Sequence, residues 1–121
     1  MNRSRTNALG SEVTSRGGMV TAMHPDVATI AANILRDGGS AHDAAVAALA
    51  ALTVFEPFMS GLGGHGAALV AAPGTDPYVI DASAVGPAAA SPGADPPLRG
   101  AAAVPVPTAL AGWAGLHASG G

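Results

Sequence analysis

The sequence predicts an α/β fold built around one buried apolar helix, and three stretches carry that prediction. Residues 44–55 are apolar except for Thr53, and a helix without a polar face needs cover on every side. Val27, Ile30, Ala31, Ile34 and Leu35 recur at the spacing of an amphipathic helix. Residues 67–72 and 78–82 are short apolar runs separated by Pro73-Gly74-Thr75-Asp76-Pro77. That turn chemistry joins two strands into an antiparallel hairpin.

Residues 1–16 are polar and read as a mobile N-terminal segment, with 17–121 forming one incomplete domain. Residues 19–23 are apolar and β-leaning, which predicts a strand. Pro25 suits the first position of a helix, with His24 before it as the cap. Gly38 and Gly39 stop that helix, one of them in a left-handed C-terminal conformation. Ser40 caps the central helix, and Asp43, three residues on, can reach back to free N–H groups. Pro57 ends this helix by driving Glu56 out of the helical region. Residues 60–66 make a glycine-rich loop that must bend tightly. After the hairpin, Pro87, Pro92, Pro96 and Pro97 mark a long loop over 86–100. Residues 101–106 predict a short strand. Residues 108–118 predict a helix with Leu110, Trp113, Ala114 and His117 along one face.

Composition narrows the function. The chain is 49% hydrophobic but 3% aromatic, with 17 Gly. Small side chains bury little area, and stabilisation scales with area at about 25 cal/mol per Å². The core is therefore thin, as in a piece of a larger fold. Five Lys+Arg against a net charge of −3 leave no basic patch for nucleic acid. Cysteine is absent, so there is neither a disulfide framework nor a thiol nucleophile. Residues 44–55 are too short for a bilayer core of about 30 Å, so no membrane span is expected. Residues 1–16 lack the apolar run of a secretory signal, so a cytoplasmic location is expected.

The motifs are mostly structural. Gly61-Leu62-Gly63-Gly64-His65-Gly66 spells the dinucleotide fingerprint, but that motif needs a strand before it and a helix after it. Here the order is reversed, and the loop reads as a tight helix-to-strand turn. His24, His42, His65 and His117 have no metal-ligand spacing, and no metal or other cofactor is expected. His65 reads as a partly exposed loop residue. Ser60 lacks a nucleophile elbow and reads as a hydroxyl satisfying loop backbone groups. Asp43 reads as a cap, and Glu56 as a carboxylate holding loop N–H groups.

Two phrases carry a family resemblance. Gly38-Gly39-Ser40-Ala41-His42-Asp43-Ala44-Ala45-Val46-Ala47 and Val54-Phe55-Glu56-Pro57-Phe58-Met59-Ser60-Gly61-Leu62-Gly63-Gly64 resemble the start of a γ-glutamyltranspeptidase large subunit. The resemblance runs from about Gly18 to Gly121. It implies the N-terminal piece of an αββα N-terminal-nucleophile-hydrolase sandwich. It also implies that γ-glutamyl or related amides such as glutathione are transferred or hydrolysed through a threonine acyl-enzyme. No catalytic residue of that mechanism is expected in this chain, which alone should be inactive. Its partners would be a small amide substrate, the remainder of the large subunit and the small subunit. Relatives are often exported.

The family's arginine clamp for the substrate α-carboxylate falls within Asp81-Ala82-Ser83-Ala84-Val85-Gly86-Pro87, where Ser83 takes the clamp position. Val106-Pro107-Thr108-Ala109-Leu110-Ala111-Gly112 resembles a second family phrase, with Thr108 where relatives have glycine. A non-catalytic, degenerate homologue or scaffold fragment is the alternative reading.

Overall fold

The computed structural model describes residues 14–89, 95 and 98–121. In chain order it holds α1 (Pro25–Arg36), α2 (Ala41–Phe55), β1 (Gly66–Val70), β2 (Tyr78–Ala82), a 3-10 turn (Ala101–Ala103) and α3 (Ala109–Gly120). The expected segment over 1–16 and the proline-rich loop over 86–100 lie partly outside the described residues.

The helix ends follow from local chemistry. Pro25 opens α1, and the His24 side chain accepts a hydrogen bond from the Asp26 N–H. At the far end Gly38 takes φ +94°, and the N–H groups of Gly38 and Gly39 donate to the carbonyls of Leu35 and Ile34. This paired arrangement needs a residue that tolerates the left-handed region. Ser40 then starts α2 with a reciprocal cap. The Asp43 N–H donates to Ser40 Oγ at 3.0 Å, and the Ser40 N–H donates to Asp43 Oδ2 at 2.9 Å. Glu56 is the exit residue, as Pro57 requires.

The helices α1 and α2 form an antiparallel pair sealed by Val27 and Ala31, both fully buried, and by Ala44. On its other side α2 meets α3, which in turn carries the hairpin. In the hairpin, β1 pairs antiparallel with β2 in the register Ala67↔Asp81, Ala68↔Ile80, Leu69↔Val79. Ala68, Val70, Ile80 and Ala82 turn toward the protein, while Ala67, Leu69, Val79 and Asp81 face outward. Glycines bring α3 onto β2. Gly115 stands against Ile80, and a Cβ at Gly112 would overlap Ala82.

Four expectations change. Residues 19–23 form no strand, because no ladder partner lies beside them among the described residues; Gly18 instead lies against Leu35 of α1. Residues 101–106 contain the 3-10 turn and a lone bridge, Val85↔Val106, in place of a strand. The buried positions of α3 are Ala109 and Leu116, and Leu110 is 55% exposed. The small residues Ala109 and Gly112 allow the closer approach to β2, so the helix rotates that face inward. Finally, α2 is apolar but not covered on every side in this chain. Only Ala44 is fully buried, and Val54 is 75% exposed. Among the described residues its helical neighbours are α1 and α3, and the end of α2 is left partly open, with Val54 and Phe55 exposed.

Candidate functional site

The loop after α2, the inner face of the hairpin and the start of α3 enclose a cleft of about 450 Å³. Leu49 forms one wall, Ala68 and Ile80 a second, and Trp113 and Leu116 a third; Ser60 and His65 stand on the loop side. The loop is folded by its own backbone. The Glu56 carbonyl accepts from the N–H groups of Met59 and Ser60, and the Gly61 carbonyl accepts from Gly64. Holding the loop thus falls to the carbonyl of Glu56, and the expected role for its carboxylate is not seen: that group makes no hydrogen bond among the described residues.

The Gly64 carbonyl accepts the N–H groups of Thr108 and Ala109, at 3.2 and 3.1 Å. These are free donors at the start of α3, so the glycine loop caps this helix from across the fold. Thr108 does not cap with its own side chain. Its hydroxyl donates to the Ala82 carbonyl at 2.6 Å. Three separate segments therefore meet at one joint: the glycine loop, the end of β2 and the start of α3. From sequence, Thr108 stood out only as a departure from a family phrase. Nothing local pointed to Ala82.

Ser83 lies just beyond this joint, exposed. Its Oγ and its N–H both donate to Asp81 Oδ1, at 2.6 and 2.9 Å. These bonds, the side-chain one first, hold the Asp81 carboxyl below its ordinary value. The hydroxyl proton of Ser83 is thus committed to its neighbour. Asp81 and Ser83 together present an ionised carboxylate and no cation.

The other singled-out residues do not assemble a nucleophilic centre. Ser60 and His65 line the same cleft, yet no hydrogen bond joins Ser60 Oγ to a base among the described residues. His117 Nδ1 lies 3.0 Å from Asp43 Oδ1, linking the end of α3 to the start of α2 across 74 residues. No sequence-local signal announces that pair. The Ser40 N–H chiefly keeps the Asp43 carboxyl below its ordinary value against partial desolvation, and the side chains of Ser40 and His117 add to it. Among the described residues no three His, Cys, Asp or Glu side chains group to hold a metal ion. No helix there is long and apolar enough to cross a membrane.

The sequence profile of the gamma-glutamyltranspeptidase family matches residues 27–121. The chain belongs to this family. Among its relatives, the oxamate amidohydrolase proenzyme of Klebsiella pneumoniae is 48% identical over 75 residues, which are 62% of this chain and 14% of that protein. The glutathione hydrolase proenzyme of Bacillus subtilis is 46% identical over 77 residues, 63% of this chain and 13% of that protein. The solved gamma-glutamyltranspeptidase of Pseudomonas nitroreducens, complexed with L-DON, superposes with a TM-score of 0.78 at 34% identity. That superposition covers 88% of this chain and 34% of the solved chain. The chain thus spans about a seventh of the curated relatives' length and about a third of the solved chain. The three helices and the hairpin are the part of the gamma-glutamyltranspeptidase N-terminal-nucleophile-hydrolase fold present here.

Proposed function

We propose that this chain is the N-terminal part of an amide-cleaving gamma-glutamyltranspeptidase-family enzyme, acting as scaffold for a nucleophile carried elsewhere in the whole protein. The observation behind this reading is the family match over 27–121, combined with a cleft in which, among the described residues, no nucleophile is hydrogen-bonded to a base. In the proposed reaction a threonine hydroxyl attacks the amide carbonyl, and the threonine's own amine takes the proton. The amide C–N bond breaks, the amine leaves with that proton, and the acyl group passes to water or to an acceptor amine. The test is expression of the whole protein. Self-cleavage before a threonine, followed by product release from a γ-glutamyl anilide or a simple amide, supports the reading. A whole protein without self-cleavage or amide turnover leaves the scaffold homologue in its place. The 121-residue chain alone is expected to release no product above the uncatalysed rate.

We further infer that the substrate lacks the free α-carboxylate of a glutamyl group. Relatives named for oxamate and for glutathione give precedent for different acyl groups within the family. The clamp position holds Ser83, whose hydroxyl already serves Asp81. An arginine fork offers a carboxylate two charge-assisted bonds, each worth about 1.5–3 kcal/mol. In the whole, processed protein, Ser83→Arg should therefore tighten binding of γ-glutamyl substrates by at least about tenfold. Unchanged binding, with wild type already favouring an α-carboxylate over its amide, refutes the inference.

A further inference from the structure

His24 is an unusual choice for a helix cap, and its surroundings give that choice a consequence. Its Nδ1 accepts the Asp26 N–H at 3.2 Å. Ser, Thr, Asn and Asp fill this role with oxygens that remain acceptors across the physiological range. A histidine has an acceptor nitrogen only while neutral, and here that requires the proton on Nε2. Protonation turns both nitrogens into donors. The Asp26 N–H would then lose its partner, and a positive charge would sit at the positive end of the helix dipole. A competing partner is close, since Asp26 Oδ2 lies 3.8 Å from the same nitrogen.

The ring is also part of the contact between helices. It packs on Phe55, the last residue of α2, with centroids 4.7 Å apart and planes inclined by 33°. A ring that turns from the N–H toward the carboxylate therefore disturbs the closed end of the α1–α2 pair. The titratable groups at this end are Asp26 on α1 and Glu56, which follows Phe55 on α2. Arg36, Asp37, His42 and Asp43 lie at the opposite end of the two helices, around the connecting turn. Asp26 makes no salt bridge to a lysine or arginine among the described residues.

We propose that His24 is a pH-sensitive cap: neutral, it holds the first turn of α1 against the end of α2, and protonated, it releases that turn. Histidine is the side chain whose ordinary charge change falls between pH 5 and 8.

The test is NMR of the full chain from pH 8 to pH 5. Long-range proton–nitrogen spectra at pH 8 should show His24 Nδ1 unprotonated. Exchange of the Asp26 amide, corrected for its intrinsic rate and referenced to amides at the centre of α2, should quicken about fivefold on acidification, the size of one lost cap. His24→Ser supplies an acceptor that does not titrate and should keep its protection at both pH values. The proposal falls if Nδ1 carries the proton at pH 8, or if the Asp26 amide is unprotected there. It also falls if wild-type protection is flat with pH, or if His24→Ser loses as much on acidification.

Discussion

Gly112→Ala should destabilise the protein, although helix propensity alone argues the other way. Alanine is favoured over glycine inside a helix by about 1 kcal/mol. At this position, however, a Cβ would overlap the Ala82 Cβ. The Ala82 side chain is a single methyl, 9% exposed, with no rotamer to swing aside. Relief must come from the helix or the strand, which have to separate toward the usual carbon contact of about 3.5–4 Å. That movement pulls on the Thr108 hydroxyl bond to Ala82 and on both N–H bonds to Gly64. Overpacking costs about 1–3 kcal/mol, and one weakened hydrogen bond adds about 1 kcal/mol. After subtracting the propensity gain, a net loss of about 1–3 kcal/mol remains. At roughly 4 °C per kcal/mol, the melting temperature should fall by about 4–12 °C. Far-UV circular dichroism on heating and in urea reads this directly. Adding Ala82→Gly should recover most of the loss by reopening the space. A single variant as stable as wild type, or more so, refutes the account of how α3 sits on β2.

Three further outcomes are expected. Ser40→Ala removes one half of the reciprocal cap on α2 and should cost about 1 kcal/mol in urea unfolding, with Ser40→Asp close to neutral. Gly38→Ala places a side chain at φ +94°, a conformation only glycine adopts freely, and should cost about 1 kcal/mol by the same measurement. Asp43 and Asp81 both hold carboxyls below the ordinary 3.8. The folded chain therefore binds these protons less readily than the unfolded one, so their stabilisation is present above about pH 4 and lost as pH falls below it. Asp81→Asn should flatten the stability profile in that acid range, as read by urea midpoints from pH 5 to pH 2.5.

The sequence made some elements plain because their causes are local. Pro25 after His24, the glycine pair at 38–39, Ser40 with Asp43 and Pro57 after Glu56 each act within one turn of chain, and the four ends of α1 and α2 appear where those residues put them. The hairpin was legible for the same reason, with the turn residues between two apolar runs. Residues 19–23 and 101–106 have the composition of strands, but a strand also needs a neighbour with free N–H and C=O groups, which composition does not reveal. The apolar stripe of α3 misled because it ranked residues by size, whereas approach to β2 is governed by how small Ala109 and Gly112 are. At the candidate site, the glycine-rich loop was visible. The bond from Thr108 to Ala82 and the pairing of His117 with Asp43 were not, since their partners are 26 and 74 residues away.

The cap on α3 has a consequence for the order in which the chain folds. The pairing of α1 with α2 closes through a short turn and can form as soon as those residues leave the ribosome. The start of α3 has no cap of its own, because its free N–H groups are received by the Gly64 carbonyl and its Thr108 hydroxyl by Ala82. It must wait until the glycine loop and β2 are already in place, and contacts of such sequence separation are the slow ones in folding. Docking of α3 is thus set to be a late step, after the main barrier. Variants at Thr108 should slow folding less than they quicken unfolding, because their contacts form after the transition state.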